Sequence, residues 1–217
     1  DKKIRACIFD MDGVLVNTEK YHFMAWQRLT ETLGFTIDEK FNENLKGVSR
    51  SVCVDLILKH GGLTKTQEEK NALAAQKNEW FLEFVKTEVT PASVYPGVLD
   101  FLHSLKSKGY KTAVGSASKN TMLLLNKLEI IQYFDAIVDG NMIEKAKPNP
   151  EVFLKGAELL NVRPCECVVF EDAYSGVEAA KNGGMYCIGV GSPEVLSKAD
   201  FCIRTFMEMN VERLKEL

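Results

Sequence analysis

The sequence predicts an α/β fold: a doubly wound parallel sheet with a helical domain inserted after its first strand. Three observations carry this. From Pro96-Gly97 onward, short apolar runs alternate with helix-patterned stretches, the rhythm of a parallel sheet covered on both faces. Between about residues 18 and 90 no strand-like alternation occurs, and apolar residues recur at helical spacing. Several apolar runs of the core are followed by polar clusters, where open α/β sheets bind ligands. The 217-residue chain is long enough for such a core with a smaller insert. The predicted core covers 1–16 and 93–217, and the predicted helical cap 17–92.

The first strand is Ala6-Cys7-Ile8-Phe9, ended by Asp10-Met11-Asp12-Gly13. A helix over 18–33 carries Tyr21, Phe23, Trp26, Leu29 and Leu33, and Gly34 stops it. Ser49 or Ser51 is placed to cap a helix bearing Val52, Leu56 and Ile57, which Gly61-Gly62 breaks. Thr64 or Thr66 opens a long helix through Leu73, Trp80, Phe81, Phe84 and Val85. The chain crosses between the two parts at Asn17-Thr18 and near 91–95, the expected hinges of a lid. In the core a helix over 97–108 precedes a strand over 111–115. The loop Ser116-Ala117-Ser118-Lys119-Asn120 leads into a helix with Leu123, Leu124 and Leu128. A strand over 136–138 follows, then Lys145-Ala146-Lys147-Pro148 and a helix through Phe153, Ala157 and Leu160. The strand Cys167-Val168-Val169-Phe170 ends in Glu171-Asp172. A helix over 176–183, a strand over 185–189 and a short strand over 201–203 complete the pattern.

Composition narrows the partners. With 46% hydrophobic residues, 26% charged residues and a net charge of −3, the chain reads as a soluble globular protein. It carries no basic surplus for nucleic acid and no pattern for a membrane surface. No apolar run approaches the length of a membrane span, and the start is not signal-like. Of the six cysteines, Cys7, Cys167, Cys187 and Cys202 lie in apolar strand-like runs, where a free thiol is a small hydrophobe. Cys165-Glu166-Cys167 is too tight a pair for a zinc site. Cys53 is the sixth, and all six are expected to be reduced, in a cytoplasmic protein.

The chemistry starts with Asp10 and Asp12. Two acids at the end of a buried strand need a cation, a shared proton or different roles to relieve their repulsion. A calcium loop is excluded, because the alternate and twelfth positions from Asp10 hold Val14, Val16 and Tyr21. Strand ends would add Ser116, Ala117, Ser118, Lys119, Asn120, Glu171 and Asp172, and a later loop Lys147. Acids from two strands suit a hard divalent cation, most simply magnesium. Lysine, a hydroxyl and strand-end amides suit a phosphoryl group. An ionised aspartate can attack phosphorus. Taken singly, each has a plainer reading. Ser116 and Ser118 could cap the next helix, and Lys147 could be a solvated loop lysine. Glu171-Asp172 could be charge at a helix N-terminus. Lys46 and Arg50 could be surface charges, and His22 a packing residue. Their common order, each polar cluster after a predicted core strand, favours a site.

Asp10-Met11-Asp12-Gly13-Val14, Ser116, Lys147-Pro148 and Glu171-Asp172 resemble, in chain order, the four motifs of the haloacid dehalogenase superfamily of phosphotransferases. A longer resemblance, to that superfamily's sugar-phosphate mutases, runs through Thr18, Tyr21-His22-Phe23, Ala25-Trp26, Phe41-Asn42-Glu43, the stretch from Leu45 to Arg50, Lys77-Asn78, Tyr95-Pro96-Gly97 and Tyr133-Phe134-Asp135. The resemblance implies a Rossmann-like core with an α-helical cap. It implies Asp10 as the phosphorylated nucleophile and Asp12 as general acid/base. Magnesium would be held by Asp10, the backbone carbonyl of Asp12, Glu171 and Asp172. Ser116 and Lys147 would hold the transferring phosphoryl group. Arg50, with Ser118, Lys119 and Asn120 beside Ala117, would hold a second phosphate. Gly47 and Val48, flanked by Lys46 and Ser49, would meet the sugar, while Thr18, His22 and Lys77 would tune Asp12.

The activity so implied moves a phosphoryl group between β-glucose 1-phosphate and glucose 6-phosphate, through a phosphoaspartate and a 1,6-bisphosphate, in a monomer. The alternative is a phosphatase of the same superfamily acting on a small sugar phosphate. A catalytically dead binding module would be expected to lose Asp10, Asp12 or Lys147, and all three are present. Asn17, Ala173 and Gln76 depart from the pattern, which expects an acid, a serine and a basic residue there.

Overall fold

The structure, a computed structural model, describes residues 3–217; Asp1 and Lys2, at the predicted start of the core, lie outside the described residues. The chain forms two compact units. One comprises the described residues through Asn17 together with Thr90–Leu217, and the other Thr18–Val89. The sequence reading cuts the chain after residues 16 and 92.

The first unit is built on β1 (Ala6–Phe9), β2 (Lys111–Gly115), β3 (Ala136–Val138), β4 (Cys167–Glu171), β5 (Tyr186–Val190) and β6 (Phe201–Ile203). Among the described residues these make one sheet, ordered β3-β2-β1-β4-β5-β6. Every pairing is parallel. β1 lies at its centre, with Ile8 opposite Ala113 and Val169, and Phe9 opposite Val114 and Phe170. Alternation sends these residues to opposite faces. Ile8, Ala113 and Val169 pack with Val138, Phe153 and Val177. On the other face Phe9 stacks on Phe170 at 4.9 Å and meets Phe101 edge-on at 6.1 Å. Such aromatic pairs contribute about 0.5–1.5 kcal/mol each beyond their buried area. β-branched and aromatic residues buried on both faces are what a central parallel strand requires.

The second unit is helical, with α1 (Glu19–Thr32), α2 (Glu39–Asn42), α3 (Arg50–His60) and α4 (Gln67–Glu88). Trp26 and Leu29 of α1 pack with Cys53, Val54, Ile57 and Leu58 of α3, and Trp80 of α4 joins their cluster. Thr66, not Thr64, begins α4: its hydroxyl accepts from the Glu69 amide at 3.2 Å, and the Glu69 carboxylate accepts from the Thr66 amide at 3.0 Å. Ser49 stands at the N-cap of α3, but its side chain makes no capping hydrogen bond.

The remaining helices cover the sheet: α5 (Val98–Ser107), α6 (Thr121–Lys127), α7 (Glu151–Leu159) and α8 (Tyr174–Asn182). All six cysteines are free thiols, and only Cys165 is exposed. Burial pushes Cys53 and Cys167 up to about 12, so they behave as hydrophobes. No helix among the described residues is long and apolar enough to cross a membrane. The chain leaves β1 for the β2 side of the sheet, while β4 pairs with the other side of β1. This reversal opens a crevice at the carboxyl ends of β1 and β4.

Candidate active site

Asp10 follows β1 directly. Its amide donates to the Phe170 carbonyl at 3.1 Å, so the ladder holds the residue that carries the carboxylate. The chain then turns at once: the Leu15 amide donates to the Met11 carbonyl at 2.9 Å, and the Gly13 amide to the Val16 carbonyl at 2.9 Å. Gly13 sits at φ +82°, and a Cβ there would strike the Asp172 carboxylate. Glycine serves both needs, the left-handed turn and the close approach of the Asp172 side chain.

Lys147 is no solvated loop lysine, for its side chain is 1% exposed. Its Nζ donates to Asp10 Oδ1 at 3.3 Å, Glu171 Oε2 at 2.9 Å and the Gly115 carbonyl at 3.5 Å. One ammonium thus joins the ends of β1, β2 and β4. Glu171 is fully buried, and its Oε1 accepts from the amides of Asp172 at 3.1 Å and Ala173 at 3.2 Å. Burial pushes the Asp10 carboxyl well above the ordinary range, Glu171 adds to the push, and Lys147 opposes it. Burial alone would lower Lys147, but the two carboxylates outweigh it and the net shift is upward. Carboxylate oxygens of Asp10, Glu171 and Asp172 lie within 4.8 Å of one another. Three hard oxygen donors from two strand ends fit a magnesium-sized cation.

The loop after β2 is a set of nested turns. The Ser116 amide donates to the Val138 carbonyl at 3.0 Å, the Ser116 hydroxyl accepts from the Ser118 amide at 3.1 Å, and the Ser118 hydroxyl from the Asn120 amide at 3.1 Å. Neither serine holds the N-cap of α6; Asn120 does, without a side-chain cap bond. Ser116 is buried beside the end of β2, and Lys119 is exposed. Gly140 packs against the Ala117 carbonyl, where a Cβ would not fit.

Within the helical unit, Lys77 is buried, with its Nζ 2.7 Å from His22 Nδ1 and 4.6 Å from the Trp26 ring. His22 stacks on Phe81 at 3.9 Å. Thr18 is buried at the N-cap of α1. Lys46 pairs with Glu43 at 2.7 Å. Gly47 turns at φ +72°, Val48 packs on the cap core, Ser49 precedes α3, and Arg50 is its first residue, half-buried.

The model of the haloacid dehalogenase-like hydrolases matches residues 4–184. The chain belongs to that family. The match takes in both sections of the sheet unit that carry the acids, the whole helical unit and Lys147. Among relatives, the β-phosphoglucomutase of Bacillus subtilis (strain 168) is 38% identical over 98% of this chain and 95% of its own length. The phosphorylated carbohydrates phosphatase of Thermotoga maritima is 35% identical over 84% of this chain and 82% of its own. The crystal structure of β-phosphoglucomutase from Clostridium difficile superposes with a TM-score of 0.94 at 40% identity, covering 98% of this chain and 96% of that one. Two residues that touch the segments carrying Glu171 and Lys147 were not singled out by the sequence. Gly176 lies in the first turn of α8, where a Cβ would collide with the Glu171 carboxylate. Glu151 begins α7. A glycine inside a helical pattern, where it is disfavoured, is the signal that could have found the first.

Proposed function

We propose that this chain is a β-phosphoglucomutase, interconverting β-glucose 1-phosphate and glucose 6-phosphate. The observation that carries the chemistry is the meeting of buried Asp10, Lys147 and Glu171 with half-buried Asp172 at the strand ends. The near full-length similarity to two β-phosphoglucomutases supports the choice of reaction. Asp10 is the nucleophile. Phosphorylated, it gives its phosphoryl group to the 6-hydroxyl of β-glucose 1-phosphate while Asp12 takes the hydroxyl proton. The bisphosphate reorients and returns its 1-phosphoryl group to Asp10, and Asp12 protonates the departing oxygen to leave glucose 6-phosphate. Lys147 and Ser116 hold the moving phosphoryl oxygens. Asp10, the Asp12 carbonyl, Glu171 and Asp172 would hold magnesium. That ion supplies the positive charge that lets an anionic nucleophile meet an anionic phosphate.

The second phosphate falls to Arg50 with Ser118, Lys119 and Asn120, and the sugar to the stretch from Lys46 to Ser49. The guanidinium suits a bidentate grip. Thr18–Val89 acts as the lid, with His22 and Lys77 tuning Asp12. The protein works as a cytoplasmic monomer. A second reading, a sugar-phosphate phosphatase, is favoured by the Thermotoga maritima relative. Arg50→Ala separates the two. Losing charge-assisted hydrogen bonds costs about 1.5–3 kcal/mol each, so isomerisation of β-glucose 1-phosphate should fall at least tenfold, and phosphate release should rise as a share of turnover. A wild type that only releases inorganic phosphate, in a ratio Arg50→Ala leaves untouched, would refute the mutase.

A further inference from the structure

Lys147 has to reach the crevice from a loop rather than from a strand, so something must hold that loop. The segment before it, from Met142 to Ala146, belongs to no regular element. The Met142 amide donates to the Asp139 carbonyl at 3.1 Å and the Ala146 carbonyl accepts from the Asn149 amide at 3.0 Å; three further backbone groups are taken by side chains of α7. The Glu151 carboxylate accepts from the Glu144 amide at 2.9 Å through one oxygen and from the Lys145 amide at 2.8 Å through the other. One turn further along the same helix face, Lys155 Nζ donates to the Met142 carbonyl at 2.5 Å. Beyond Lys147, the Asn182 side chain of α8 donates to the Pro148 carbonyl at 3.1 Å, and Asn149 Oδ1 accepts from the Glu151 amide at 3.0 Å.

We propose that Glu151 is a positioning residue for phosphoryl transfer: its carboxylate clamps the amides of Glu144 and Lys145 and so sets where the Lys147 ammonium stands. A carboxylate spanning two consecutive amides is a charge-assisted grip with fixed geometry. The same two amides hold the Glu151 carboxyl below its usual range. Lys147 leaves the clamped backbone two residues after the second amide. Its Nζ then ends within hydrogen-bond reach of carboxylates from β1 and β4. A shift of the clamped backbone moves the ammonium relative to the nucleophile, and a displacement of about 1 Å can cost about 100-fold in rate. The hydrogen bonds of Glu151 go to Glu144, Lys145 and Asn149, not to Asp10, Glu171 or Asp172, so its replacement should leave the metal ligands in place.

The proposal rests on Lys147 holding the transferring phosphoryl group, and the experiment separates the two. Glu151→Ala, Glu151→Gln and Lys147→Met are compared with wild type for the rate constant of Asp10 phosphorylation by acetyl phosphate, for KM, and for Mn2+ affinity by electron paramagnetic resonance. Glu151→Ala is expected to slow phosphorylation by about tenfold to 100-fold, with the loss in kcat rather than KM and with Mn2+ affinity within twofold of wild type. Glu151→Gln keeps one acceptor oxygen but turns an amide NH2 on the other backbone amide, so it should fall between. A purely structural role for Glu151 would lower the melting temperature and leave kcat per folded molecule unchanged; that result overturns the proposal. So does a Glu151→Ala enzyme at wild-type rate while Lys147→Met is inactive. A Lys147→Met enzyme at wild-type rate instead refutes the role of Lys147. If Glu151→Ala fails to fold, Glu151→Gln carries the test, alongside amide hydrogen exchange at Glu144 and Lys145. Both amides should be protected in wild type, and at least one should exchange faster in Glu151→Gln. Fast exchange of both in wild type, or protection that Glu151→Gln leaves unchanged, overturns the proposal.

Discussion

Lys147 faces three acceptors from three strand ends, and nearly all of its side chain is out of water. A buried charge tolerates this only when well partnered, and removing one partner leaves the others exposed to the full desolvation cost. Asp10→Asn keeps the shape and removes one of those charges. The variant should stay folded, because Glu171 still holds Lys147 at the shorter distance of 2.9 Å. It should lose all turnover and all acid-labile phosphoryl label, since an amide cannot be the nucleophile. Labelling with radioactive phosphoryl donor checks this; label that persists would place the phosphoenzyme on another residue.

At the scale of elements, the helical unit depends on α4, whose start is set by a reciprocal pair of hydrogen bonds between Thr66 and Glu69. Thr66→Ala removes the acceptor for the Glu69 amide. Loss of such a cap costs about 1 kcal/mol, read as a lowered urea midpoint with the slope unchanged. The sheet unit's active residues should be unaffected in Mn2+ binding. A midpoint that does not move would mean that the first turn of α4 is held by packing rather than by its cap.

For the molecule as a whole, all three carboxylates placed to hold a metal belong to the sheet unit. Removing metal with a chelator should therefore leave the helical unit's stability unchanged and lower that of the sheet unit. At 100 times the dissociation constant, bound metal adds about 2.7 kcal/mol. Differential scanning calorimetry with and without Mg2+ should show the shift in wild type and a reduced shift in Asp172→Asn. An equal shift in both would move the metal elsewhere. The fold should survive the chelator, because Lys147 already compensates two of the acids.

Periodicity and strand-end order made much of this protein legible in the sequence. The strands at 111–115, 136–138 and 201–203 are where the apolar runs put them, because a doubly covered parallel strand must be apolar on both faces. Asp10, Ser116, Glu171 and Asp172 could be collected from the sequence for the same reason: each closes or follows a core strand, and parallel strands bring those ends to one edge. Tertiary structure alone decided the rest. That Lys147 is buried between Asp10 and Glu171, that Gly176 makes room for the Glu171 side chain, and that Glu151 grips the loop from the side of α7 are contacts made from one element or loop to another. They follow no period, and only the glycine inside a helical pattern points to one of them; they exist because close packing leaves a definite space at each point and only certain side chains fill it.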